Sequence, residues 1–179
     1  MAASLAANKI VFAMQATADD ATKPNMPRRA PLEVESFRMV FTAIVSSGAP
    51  VTAGRALQLF KASDTAQTMP AGGTALTGIP KRLQDQGADS GLVGAQIAGT
   101  AGLTVVGFTR GSVPIATFDL SGGGTSGNRL TFDYFERFNG SPLWIDPGDI
   151  LCVSNPAAFE AVLTWQLSVN VDYRRRDSL

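Results

Sequence analysis

Residues 160–173 constrain the fold more than any other stretch, because apolar and polar side chains alternate along these fourteen positions with a single exception. Ala161, Leu163, Trp165, Leu167, Val169, Val171 and Tyr173 fall on one side. Glu160, Thr164, Gln166, Ser168, Asn170 and Asp172 fall on the other, with only Val162 out of pattern. A period of two is that of a β-strand with one buried face. At about 3.3 Å per residue it would run roughly 45 Å, longer than an ordinary strand. A bend or bulge is therefore expected, and a central place serving two neighbours.

A second alternating stretch, residues 34–45, puts Phe37, Met39, Phe41, Ala43 and Val45 opposite Ser36, Arg38 and Thr42, and predicts another long strand. Shorter runs rich in Val, Ile, Thr and aromatics follow at 56–61, 103–108, 115–120, 130–135 and 150–153. Gly and Pro break nearly every gap, for example at Ser121-Gly122-Gly123-Gly124, Asn139-Gly140-Ser141-Pro142 and Asp146-Pro147-Gly148-Asp149. No helical periodicity with a good cap stands out, and residues 80–98 admit either a short helix or irregular structure. Many short strands with turn signals predict an all-β fold, an antiparallel β-sandwich that is jelly-roll-like, with a closed barrel as the competing architecture.

Residues 1–30 read differently. They are rich in Ala and Thr, end in Pro24, Pro27, Arg28, Arg29 and Pro31, and have little to bury beyond Ile10, Val11, Phe12 and Met14. The expectation is an extended N-terminal arm over 1–30 followed by a β-sandwich domain over 31–179. Such an arm lies on a partner or exchanges strands, with packing on its own domain as the alternative.

The 179-residue chain is of single-domain size. It has no histidine, so Ser-His-Asp and Cys-His sites are excluded and the commonest transition-metal ligand is missing. A single cysteine, Cys152, excludes an intramolecular disulfide and a cysteine-rich zinc site. Fifteen basic and fifteen acidic residues give zero net charge, which disfavours nucleic acid and anionic membrane as partners. The apolar run Ile10 to Met14 is too short for a signal peptide, and no segment reaches the roughly 20 apolar residues of a membrane span.

The remaining candidates for chemistry each have a plainer reading. Asp85 with Asp89, Asp133 with Glu136, and Asp146 with Asp149 could form a carboxylate pair or a calcium site. None has the EF-hand pattern, and Asp146-Pro147-Gly148-Asp149 has turn chemistry, with Gly148 supplying positive φ and the carboxylates capping backbone N–H groups. The glycines over 121–127 precede a strand pattern instead of a helix, unlike a phosphate loop. Cys152, in an apolar run, reads as a buried structural thiol. Asn139-Gly140-Ser141 matches a glycosylation sequon but reads as a turn. Trp165 belongs to the core face of the long strand, whereas Trp144, beside a turn, is the candidate for stacking on a sugar ring. No cofactor is expected.

Four segments carry a resemblance: Gly73-Thr74-Ala75-Leu76, then Pro80-Lys81-Arg82-Leu83, then Pro142-Leu143-Trp144 with Pro147-Gly148-Asp149-Ile150-Leu151, and the closing alternation from Ala161 to Tyr173. Together they resemble small structural proteins of tailed bacteriophages, over about residues 55–173. The resemblance implies a β-rich, non-enzymatic virion component without catalytic residues, placed in the virion and, during assembly, in the host cytoplasm. It implies a capsid decoration or cement protein that forms a homo-oligomer, with a trimer as the expected number, on a major capsid protein or other virion proteins. Alternatives are a tail, baseplate or head-fibre component, or a carbohydrate-binding host-attachment module. The candidate interface is Ile10, Val11, Phe12, Arg28 and Arg29 of the arm with Arg174, Arg175 and Arg176 near the C-terminus.

Overall fold

The computed structural model describes residues 2–5, 9–19, 22, 31–45, 56–62, 72–76, 92–98, 112–119, 128–156 and 158–175. In chain order these hold β1 (Ala2–Leu5), β2 (Lys9–Ala16), β3 (Leu32–Val45), β4 (Ala56–Ala62), β5 (Gly73–Leu76), β6 (Leu92–Ala98), β7 (Ser112–Asp119), β8 (Asn128–Asp133), α1 (Tyr134–Arg137), β9 (Leu143–Ile145), β10 (Ile150–Asn155) and β11 (Phe159–Arg175).

The strands form two antiparallel sheets arranged like a sandwich, so the all-β expectation holds. One sheet has the order β1-β11-β3-β8, with β9 also pairing β3; the other runs β5-β6-β2-β10-β4-β7. The alternating stretches form the middle of the first sheet. β11 lies between β1 and β3, and pairs with β3 from Leu163↔Val45 to Arg175↔Leu32. β11 is irregular against β1, where Ala3 opposes Thr164 and Leu5 opposes Phe159, and near its end the bulge falls on β3: Asp172 opposes Ser36 and Tyr173 opposes Val34, leaving Glu35 as the extra residue.

The main core joins side chains from both sheets: Phe37, Met39, Phe41, Trp165 and Leu167 from the five-stranded sheet meet Phe12, Met14, Leu57, Leu59 and Leu151 from the six-stranded one. Phe37 is edge-on to Phe12 at 6.1 Å and to Phe132 at 6.3 Å, and Phe41 stacks on Trp165 at 6.2 Å. Burying each such ring stabilises the fold by about 1.5–3 kcal/mol.

The N-terminal expectation is corrected. Residues 9–16 do not form a separate arm: they are β2, hydrogen-bonded to β6 on one edge and β10 on the other, and residues 2–5 are β1, paired with β11. Val153 opposes Phe12 and Ser154 opposes Ile10, so Val11 is a bulge residue. Val11 and Phe12 both face the main core, while Ile10 and Ala13 join a second buried cluster with Phe60, Ala62, Ile150 and Cys152. The run Ile10 to Met14 shows no alternation because this strand is buried on both faces.

One other difference has a local cause. The strand pattern predicted over 130–135 ends at Asp133, whose side chain accepts from the Phe135 and Glu136 backbone N–H groups at 3.1 and 3.4 Å. With Glu136 three residues later this is a capping sequence, and it starts the single turn α1. In the undecided segment 80–98, residues 92–98 are strand β6, and 80–91 lie outside the described residues. The predicted strand at 103–108 and the glycine loop 121–127 also lie outside them.

Candidate functional site

Five of the predicted interface residues, Ile10, Val11, Phe12, Arg174 and Arg175, fall within the described residues. Ile10, Val11 and Phe12 are no more than 1% exposed, so they serve the chain's own core and offer nothing to a partner in this fold. Arg28, Arg29 and Arg176 lie outside the described residues. Arg174 is engaged within the chain: its Nη2 and Nε lie 2.8 and 2.9 Å from Glu33 Oε2, and its Nε is 3.4 Å from Glu35 Oε1. The bulge at Glu35 gathers two carboxylates at one arginine. The Glu33 hydrogen bond and charge raise the Arg174 pKa further above its already high value. Arg175, next along β11, is exposed.

Trp144 sits in β9, opposite Glu33 of β3, and is half-buried. Asp133 is occupied as the α1 cap, while Glu136 is exposed. Asp85 and Asp89 are outside the described residues.

Asp146 and Asp149 do meet a partner, and it is one the sequence reading passed over. Lys61 Nζ lies 3.0 Å from Asp146 Oδ2 and 3.3 Å from Asp149 Oδ2. The turn chemistry predicted for this segment holds: Gly148 has φ +87°, and the Asp149 N–H donates to the Asp146 carbonyl at 2.9 Å. The same turn is clipped to the end of β2, where the Gly148 N–H donates to the Ala16 carbonyl and the Ala16 N–H to the Asp149 carbonyl. Gln15 Nε2 adds a bond to the Gly148 carbonyl. Lys61 therefore ties β4 to a turn already bound to β2.

Burial opposes the charge on Lys61. The Asp146 hydrogen bond and charge, then those of Asp149, outweigh it and raise the pKa above the ordinary lysine value of 10.5. A lysine held this way is an ammonium and not a nucleophile, so the cluster is a fastening. The signal that finds it is parity: Leu57 and Leu59 face the core, and Lys61 follows two positions on. A charge at that position of a strand needs an acidic partner.

Cys152 is fully buried, and burial pushes its thiol well above the ordinary range, in keeping with the structural reading. Asn139 and Gly140 both have positive φ, as their turn reading requires. Among the described residues no three metal-ligating side chains gather, and no helix is long and apolar enough to cross a membrane.

Two surfaces remain. The outer side of the five-stranded sheet is polar, with Arg38, Gln166, Ser168, Asn170 and Thr131 exposed. The β5–β6 margin of the other sheet carries Thr74, Ala75, Leu76 and Val93 exposed, with no charge on either strand. No family model, no curated protein and no solved structure matches the chain.

Proposed function

We propose that the chain is a jelly-roll structural protein of a bacteriophage virion, one that decorates or cements the shell and has no enzymatic role. The observation that carries this reading is the nesting of the strand pairs. Setting aside β5 and β6, which extend one sheet beyond β2, and the three-residue β9, eight strands remain, and the first pairs with the last (β1 with β11), the second with the seventh (β2 with β10), the third with the sixth (β3 with β8) and the fourth with the fifth (β4 with β7). Rolling such a four-layered hairpin joins β11 to β3 and β10 to β4, and both pairs are present. This nested order supports the jelly-roll reading, an architecture shared by viral capsid and lectin domains.

Fold alone does not fix function, and the resemblance of residues 55–173 to small structural proteins of tailed phages supplies the second support. Assembly roles need broad faces, and the polar face of the five-stranded sheet is of that kind.

Quantitative mass spectrometry of purified particles of the encoding phage tests the reading. A copy number comparable with that of the major shell protein is expected. A few copies per hundred shell subunits would move the protein to the tail, baseplate or a vertex, and absence from particles would overturn the virion reading.

A further inference from the structure

An edge strand presents unused backbone N–H and C=O groups, and proteins blunt such edges with charge, proline or a bulge. Among the described residues five strands have a neighbour on one side only: β1, β8 and β9 in one sheet, β5 and β7 in the other. β7 contains Pro114, and its register shifts against β4. β8 contains Arg129 and Asp133. β1 shifts register against β11. β5 and the three-residue β9 have none of these devices, but Leu143 and Ile145 of β9 are buried, whereas β5, Gly73-Thr74-Ala75-Leu76, keeps a continuous register along β6 with Thr74, Ala75 and Leu76 exposed. Its margin also carries the two large apolar side chains that are exposed among the described residues, Leu76 at 37% and Val93 at 57%.

We infer that the β5 edge is a pairing surface for a second copy of this chain, the two β5 strands running antiparallel across a two-fold axis. A strand edge is satisfied by another strand. Since β5 and β6 are both uncharged, a charged segment added there would bring an unpaired charge against apolar side chains, whereas an identical strand brings none. Zero net charge leaves no overall repulsion between copies. A two-fold axis lets one short segment serve both partners, and the added strand covers Leu76.

Four residues of edge fall well short of the roughly 800 Å² per partner of a standard interface. The pairing is therefore weak in free solution and becomes strong where copies are already held side by side, at effective concentrations of about millimolar. That lateral role rests on the virion reading; the pairing itself does not.

Sedimentation equilibrium of the purified full chain from about 10 to 1000 µM tests it. The weight-average mass is expected to rise from 18.7 kDa toward twice that value. Ala75→Lys should hold the chain at the monomer mass throughout, with unchanged far-UV circular dichroism and melting, because residue 75 is exposed. Thr74→Lys, on the opposite face of the same strand, should do the same. A wild-type chain that stays monomeric, or association undiminished in both variants, overturns the inference. Neither result changes the copy number in particles, so the two readings fail separately.

Discussion

The two sheets bury themselves differently. The five-stranded sheet hides one face, formed by Phe37, Met39, Phe41, Trp165 and Leu167, and leaves Arg38, Gln166, Ser168 and Asn170 to water. The six-stranded sheet hides both faces at its centre: Phe12, Met14, Leu57, Leu59 and Leu151 face the main core, while Ile10, Ala13, Phe60, Ala62, Ile150 and Cys152 form a second cluster behind them. Burial on one face writes itself into a sequence as alternation. Burial on both faces writes a continuous apolar run, which reads equally as a strand, a buried helix segment or a short sticky tail.

The largest test of this difference is removal of the N-terminus. Deleting residues 1–16 takes away β1 and β2, and β2 holds β6 and β10 on its two edges. The truncated chain is expected to lose its cooperative unfolding transition and much of its strand signal in far-UV circular dichroism. A truncated chain that unfolds cooperatively would mean that these residues are an arm after all.

Next comes a paired substitution on the outer faces of the two sheets. Ile150→Ala, in the second cluster, should cost about 2–5 kcal/mol by chemical denaturation, as for other large buried side chains. Ser168→Ala, on the exposed face of β11, should stay within about 0.5 kcal/mol. Equal costs would erase the contrast.

The Lys61 fastening gives the third test. Lys61→Met leaves Asp149, whose side chain is 10% exposed, without its ammonium partner, and should cost about 1–3 kcal/mol at neutral pH. The sign of its pH dependence follows from linkage. The folded pKa of Lys61 lies above the unfolded value, so the folded chain binds more protons. The stabilisation is full below about 10.5 and is lost as pH rises through the folded pKa. The gap between wild type and Lys61→Met should therefore hold at neutral pH and close in strong alkali. A gap that does not vary with pH would mean that Lys61 acts through packing of its stem alone.

How much could be read in advance follows the same division. β3, β4, β7, β10 and β11 were legible because alternation or β-branched runs mark them, and the turn at Asp146–Asp149 because Pro and Gly leave few conformations. β2 was misread since five apolar residues carry no period, and β6, with Gly94 and two alanines, has too little side chain to show one. β5 and β9 are too short for any pattern. The chain's acidic turn was visible, but its lysine lies 85 residues away, and only the pairing of β4 with β10 brings the two together. Strand nesting was likewise beyond reach, since it is a property of long-range pairing and not of any local period.

The smallest expected effect belongs to Arg174, a candidate for partner contact that pairs with Glu33 and Glu35 within the chain. It is solvent-exposed on the sheet that hides one face, so its ion pairs compete with water and with salt. Arg174→Gln should leave the denaturation midpoint unchanged at about 1 M salt, where the Debye length is only about 3 Å, with any small loss confined to low salt. Lys61→Met, more shielded, should keep most of its cost at both. An Arg174→Gln loss that persists in high salt would show that the end of β11 is fastened as firmly as the β4 turn. Arg174 would then belong to the fold as Lys61 does.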